Sequence, residues 1–532
     1  MRKSMIRSLV VAVGMAAFGM PLSVFAQVAA RESVLLAAAQ QTPAAATDVR
    51  RLSADEAVRL AAENNLGIQV ARYDPRIEDL NIAQARAGWT PTFATSLQQN
   101  SQVQAPDSFL SGAQNRLESD QFANQTDVQQ LLPWGGSYAI GWDSTRSTTN
   151  STINSFNPRI RSSLSMNYTQ PLLRDFSIDN VRQQVQVSQK NREIADVALR
   201  QTLATTERTV RNAYWDLAYA IASLEVQRQS LDLAQESLRN TRARVEIGTT
   251  PPIDIVEAEA EVATRQEAVI LAEAQIATAE DTLRALVYNP STPDFWAIRI
   301  EPTDLPPFEP VAVDVNAAIR NALDRRSDLD QARKSLEAND VNVRFLRNQT
   351  LPAVDARFDY GLSGLGGTQF QRAPGTGLLP GEIIGQTQRS YGAVLNDLLT
   401  NDFPAWTASL NISYPLGTSQ QEANLARVRL QQSRMQTQIR EQELQVAMQV
   451  RGTGRQVLTN QQRVQTTRSS REFAERRLDA EQRKFAAGTS TSFFVFQAQR
   501  DLALARNNEL RAILDYNQSL VDFETVQEVP LR

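Results

Sequence analysis

The sequence predicts a mostly helical protein with a membrane β-barrel portion. Tandem-duplicated long coiled-coil helices would form an α-barrel, and four β-strands per protomer would enter a β-barrel shared between copies. Three observations carry this reading. A seven-residue apolar repeat recurs in the second half of the chain, the helical runs far exceed a globular helix, and short segments of alternating apolar and polar residues lie between them.

The chain opens with Arg2, Lys3 and Arg7 before an apolar stretch from Leu9 to Phe18, and Val24-Phe25-Ala26 offers small residues at the two positions a signal peptidase reads. Residues 1–26 are therefore expected to be a cleaved export signal. The run is shorter than the ~20 apolar residues of a spanning helix and is interrupted by Gly14, Gly19 and Pro21. Removal takes the net charge from −4 to −7. Residues 27–51, Ala-rich with Pro43, read as a flexible leader.

Composition then narrows the chemistry. With no Cys and no His in 532 residues, the chain has no thiol nucleophile, no disulfide, no Cys/His zinc site and no Ser-His-Asp triad. No cofactor, metal or catalytic residue is expected. Without Cys the mature chain carries no thioether-linked lipid, so membrane attachment must come from the fold. The acidic balance offers no basic excess for phosphates, which argues against nucleic acid as a partner.

The first repeat spans 52–289. Ser53-Ala54-Asp55-Glu56 is a capping-box pattern for its opening helix, and Asp74-Pro75 should break that helix and restart it with Pro at the first position. Strands lie within about 89–171. From about 178 to 247 no Pro or Gly occurs, and Val210, Leu217, Leu224, Leu231, Leu238 and Val245 recur every seven residues. A helix of that length is ~100 Å long at 1.5 Å per residue, and the heptad implies left-handed supercoiling. The companion positions Arg228, Gln235 and Arg242 are polar, which suits helices packed side by side in the wall of a hollow barrel. A return helix follows at about 254–287.

A Pro-rich linker at 290–312 leads into the second repeat, 313–530. Strands are expected within about 352–416, a long helix at about 420–487 and a return helix at about 494–526. Val450, Val457, Val464, Arg471, Leu478 and Phe485 repeat the first heptad line at an offset of 240, with Arg471 the one break. The return-helix line Ile255, Val262, Val269, Ile276 and Leu283 is matched by Val495, Leu502, Glu509, Tyr516 and Phe523. Gly452-Thr453-Gly454 costs about 1 kcal/mol per Gly relative to Ala in mid-helix, and so marks a bend or a close helix contact.

Four segments alternate with a two-residue period. Trp406, Ala408, Leu410, Ile412 and Tyr414 form one apolar face, and Val354, Ala356, Phe358 and Tyr360 another. Leu164, Met166 and Tyr168 do the same in the first half, and Phe93, Thr95 and Leu97 more weakly. The pattern fits either a soluble sandwich or a transmembrane barrel. Strand pairs set between ~100 Å helices cannot bury one face within a single chain, and four strands are too few to close a barrel, so several protomers must share one. A further turn, Leu132-Pro133-Trp134-Gly135-Gly136, lies within 125–146 between two more strand-like runs and is read as an extension of an extracellular loop.

These residues resemble the TolC-like outer-membrane efflux protein family. The resemblance is carried by the helix opening at 57–65, the strand entry Gln84-Ala85-Arg86-Ala87-Gly88-Trp89-Thr90-Pro91, and the strand exits Gln170-Pro171-Leu172-Leu173 and Tyr414-Pro415-Leu416. The turns Gly248-Thr249-Thr250 and Gly488-Thr489-Ser490 complete it. It implies a homotrimer in bacterial outer-membrane lipid, with four strands per protomer in a shared barrel, a periplasmic helical tunnel and an equatorial belt. It also implies a periplasmic adaptor and an inner-membrane transporter as partners, in efflux or type I secretion.

The resemblance places the periplasmic aperture at Asp254 and Glu257, which are three apart and share one helix face. Phe494 and Gln497 stand at the matching positions of the second repeat, a departure from members that hold acids there. The expectation is a cation-selective constriction at Asp254 and Glu257, with Phe494 an apolar one; the competing reading is a solvated acidic helix start. Adaptor docking is expected at Gly248, Thr249, Gly488 and Thr489, and a lipid-facing strand at Trp406, Leu410, Ile412 and Tyr414. The rival function is a secreted coiled-coil structural or adhesive protein without a pore.

Overall fold

The computed structural model describes residues 49–106, 116–292, 295–304, 306, 308–374, 381–417 and 419–528. The expected export signal and most of the expected leader lie outside the described residues.

Strand β1 (Val49–Leu52) pairs in parallel with β6 (Arg299–Pro302), so residues 49–51 belong to a sheet and not to the leader expected to run through 51. Three short helices follow: α1 (Ala54–Asn64), α2 (Leu66–Ala71) and α3 (Tyr73–Arg86). The Ser53 hydroxyl accepts the Glu56 N–H at 3.2 Å, the N-cap half of the expected box. The helix breaks at Asn65, whose side chain caps α2, and again at Arg72; Pro75 therefore sits inside the first turn of α3 and not at its first position.

The two long helices are α4 (Asn180–Glu246) and α9 (Gln420–Ala486), each of 67 residues. Each returns through a helix of 35 residues, α5 (Ile253–Val287) and α10 (Ser492–Val526). Val210 and Leu217 are fully buried, as are Val450 and Val457, so the heptad lines form the helical seams. Helix α9 passes through Gly452 and Gly454 as one element. A Cβ at Gly454 would lie 3.1 Å from Val315 and 3.3 Å from Phe523, so this Gly marks a close contact. Gly454 stands 240 positions after Tyr214: the first repeat fills this space from the long helix, the second from its neighbours.

Two fully buried tyrosines clamp the segment joining the repeats. Tyr214 Oη donates to the Leu52 carbonyl and accepts from the Asp304 N–H, both at 3.0 Å. Tyr516 Oη donates to the Glu309 carbonyl at 2.7 Å and accepts from the Val311 N–H at 3.2 Å. Helices α6 (Val315–Arg325) and α7 (Ser327–Gln349) then open the second repeat.

The strands form one antiparallel sheet: β2 (Thr92–Gln104), β3 (Leu117–Leu131), β4 (Ser137–Thr149), β5 (Phe156–Pro171), β7 (Ala353–Arg372), β8 (Ile383–Arg389) and β9 (Pro404–Ser413). Its lateral order is β2-β3-β4-β5-β7, with β9 and β8 following each other along the free edge of β7. The four expected strands are β2, β5, β7 and β9, but the count of four is corrected: β3 and β4 are full members between β2 and β5. Their turn at 132–136 is not part of an extracellular loop. It sits at the helical end of the sheet, because Gln129 pairs with Thr92 and Ser137 with Thr169. A short helix, α8 (Tyr391–Leu399), lies between β8 and β9 and packs Val394 against Gly364 and Gly366.

Candidate functional site

The register gives the sheet two chemically distinct faces. Directly paired residues share a face, so Phe93, Val128, Ile140, Met166 and Tyr360 lie on one side together with Trp406. Phe93, Leu97, Phe122, Ile140, Leu164, Met166, Phe358, Trp406, Leu410 and Ile412 are all exposed on this side. The opposite side carries Gln125, Asp127, Asp143, Asn167, Asp355, Arg357 and Asp359. Arg357 bonds Asp359 at 2.9 Å, and Asn167 donates to the same carboxylate. An exposed apolar face backed by a polar one is stable where hydrocarbon lies outside and water inside. The expected lipid-facing residues Trp406, Leu410 and Ile412 lie on the apolar face, and Tyr414 follows the last residue of β9. Among the described residues no helix is long and apolar enough to cross a membrane.

At the far end of the long helices the two turns are built alike. Gly248 (φ +77°) donates to the Val245 carbonyl and Thr249 to that of Arg244; Gly488 (φ +75°) donates to Phe485 and Thr489 to Lys484. These are Schellman caps, in which a left-handed Gly satisfies the last carbonyls of the helix. Nothing lies within 4 Å of a Cβ built on either Gly, and both residues are exposed. Beside them a groove of about 540 Å³ runs between α4 and the second repeat, lined by Asn240, Arg244, Phe485 and Gln499 among others. Arg244 stacks over the Phe485 ring at 4.1 Å and donates to its carbonyl at 3.2 Å.

The structure brings the two return helices together at their starts. Asp254 Oδ2 accepts from the buried Ser492 hydroxyl at 3.0 Å, while Glu257 is exposed. Phe494 is half exposed and packs edge-on with Phe493, with ring centroids 5.6 Å apart; Gln497 is half-buried. Glu261, two turns into α5, is buried between Arg265 at 2.7 Å and Arg500 at 3.2 Å. Sequence reasoning missed the Glu261 link between repeats. Its only signal was an Arg at the facing position of α10, and the chain has 51 arginines. Behind the second turn, the Lys484 ammonium and the Ser490 hydroxyl hold the Glu481 carboxyl below its ordinary range.

Solved structures similar to this fold include outer-membrane channels. The chain aligns with CusC at 12% identity and a TM-score of 0.63, covering 89% of this chain and 92% of that one. It aligns with CmeC of Campylobacter jejuni at 12% identity and 0.63, covering 89% and 85%. For VceC of Vibrio cholerae the values are 15% identity and 0.61, covering 89% and 95%. Among curated proteins no relative matches. The family model for outer membrane efflux proteins matches residues 57–287 and 318–526, the two repeats without the segment between them. With a duplicated helical rod, a two-faced sheet and both repeats matched, the chain belongs to the outer membrane efflux protein family and is an efflux-channel component.

Proposed function

We propose that three copies of this chain form a passive conduit from periplasm to exterior, the outer-membrane component of a tripartite efflux or type I secretion system. The observation that carries this reading is the exposed apolar face running across six strands and backed by a polar one. The protomer's two flanks support a closed ring. Edge strand β2 follows α3, which exposes Tyr73, Ile77 and Leu80, and edge strand β9 precedes α9, which exposes Leu430, Leu444 and Met448. Strand and helix on one flank can therefore meet strand and helix on the other flank of a second copy, burying both stripes.

The chain does no chemistry in this reading; an inner-membrane transporter supplies energy and a periplasmic adaptor docks at the Gly248-Thr249 and Gly488-Thr489 turns. No lipid anchor is needed. Asp254 and Glu257 supply six carboxylates to the aperture of a trimer, with Phe494 as an apolar ring. The Asp254–Ser492 and Glu261–Arg500 contacts hold the return helices together beside this aperture. Single-channel recording of the Asp254→Asn, Glu257→Gln double variant tests the aperture: cation preference should weaken, and an unchanged preference would remove these residues from it. A secreted adhesive rod accounts for the heptads but leaves the apolar sheet face without a solvent.

A further inference from the structure

The upper wall of the protomer is four helices in the lateral order α3, α4, α7, α9. Each continues into a strand, and the strands keep that order: β2, β5, β7, β9. The hairpin β3–β4 is inserted between the first two, above the seam of α3 and α4, with no helix of its own beneath it. It is nonetheless part of the wall. Thr92 to Gln104 pair one to one with Gln129 to Leu117, and Ser137 to Ser147 pair with Thr169 to Arg159. It obeys the same two-face rule, with Phe122, Val128 and Ile140 outward and Gln125, Asp127 and Asp143 inward. Its turn is seated on the strand-to-helix junctions: Gln130 donates to the Trp89 carbonyl at 2.7 Å, and a Cβ at Gly135 would strike the Arg182 guanidinium at 2.5 Å.

We propose that each protomer gives six through-running strands, so that the trimer closes an eighteen-stranded barrel whose mouth admits cargo as wide as an α-helical hairpin. This rests on the trimeric channel proposed above. Six is even, so β9 of one copy runs antiparallel to β2 of the next, as closure requires. Strands about 4.8 Å apart and tilted by about 40° give a circumference of about 113 Å for eighteen strands and about 75 Å for twelve. Twelve wall helices spaced 8–10 Å apart need roughly 96–120 Å. Eighteen strands at this tilt therefore match the circumference of the helical tube below. After side chains line the lumen, about 23 Å of free width remains, about twice the diameter of one helix.

The chain has no Cys, so engineered pairs report strand neighbours directly. Ser96, Gln125, Asp143 and Ser163 form one inward row. In detergent-extracted protein, Ser96→Cys with Gln125→Cys, and Asp143→Cys with Ser163→Cys, should link under mild oxidation. Ser96→Cys should not link to Arg161→Cys, Ser163→Cys or Ser165→Cys, because three strand spacings, about 14 Å, exceed the reach of a disulfide. A β2–β5 link, or absence of the first two, overturns the proposal. Particle mass, measured separately, judges the trimer itself. In bilayers, poly(ethylene glycol) of about 8 Å hydrodynamic radius added at the outer face should enter the mouth and lower conductance; its exclusion would contradict the wide exit.

Discussion

Arg471, the one polar residue in the heptad line of the second long helix, is paired with Glu509, the one carboxylate in the facing line of its return helix. Each breaks an apolar repeat alone, and together they compensate. Glu475 and Arg506 extend the pair, with Arg471 and Arg506 both on Glu475. Removing Arg471 leaves the largely buried Glu509 carboxylate with only the longer contact to Arg468 at 3.6 Å, whereas removing both restores an apolar seam. Arg471→Leu should cost about 1–3 kcal/mol, and Arg471→Leu with Glu509→Leu should recover most of it. Denaturant unfolding of the two single variants and the double variant measures the coupling; additive losses would show that the pair contributes nothing as a unit.

The two glycines of α9 should respond in opposite directions. Nothing lies within 4 Å of a Cβ at Gly452, so Gly452→Ala should stabilise by about 0.5–1 kcal/mol through helix propensity. Gly454→Ala must push against Val315 and Phe523 and should cost about 1–3 kcal/mol. Thermal midpoints that move together would refute the close contact.

Tyr214→Phe removes a hydroxyl that serves two backbone groups in the buried clamp on the inter-repeat segment. The Leu52 carbonyl keeps the Thr303 N–H, but the Asp304 N–H is left without its partner. A loss of about 1–2 kcal/mol is expected, with faster proteolysis near residue 304. Unchanged stability and cleavage would mean that the clamp is incidental.

Much of this was legible because it is periodic. The 67-residue helices and their turns follow from heptads and Gly caps, which repeat in both halves. The strand count was less legible, because the outward row of β3 includes Asn124, Thr126 and Gln130, too polar for a two-residue signal. Strand β4 alternates through Tyr138, Ile140 and Trp142, but its place between β2 and β5 is a long-range pairing that local pattern does not encode. The Asp254–Ser492 contact was hidden similarly: the two residues are 238 apart and meet only because the return helices start side by side.

Acid should loosen the contact between α4 and α7. The Lys334 hydrogen bond holds the Glu193 carboxyl below its ordinary range; burial opposes this and Lys190 reinforces it. A depressed folded pKa gives stability that is present above the unfolded value, about 4.3, and is lost as pH falls through the folded one. The difference in unfolding midpoint between the native chain and Glu193→Gln should therefore be present at pH 6 and shrink below about pH 4.3. A difference that grows on acidification would reverse the assignment.

The central claim, a trimeric conduit held in a membrane by a shared barrel, is tested most directly on one preparation. Light scattering in detergent gives the protein mass of the particle, and planar bilayers give its conductance. The account predicts a particle of three chains, extracted from outer membranes only with detergent, that inserts and opens discrete ion-conducting channels. A monomer that stays in solution without detergent and leaves the bilayer silent would contradict it.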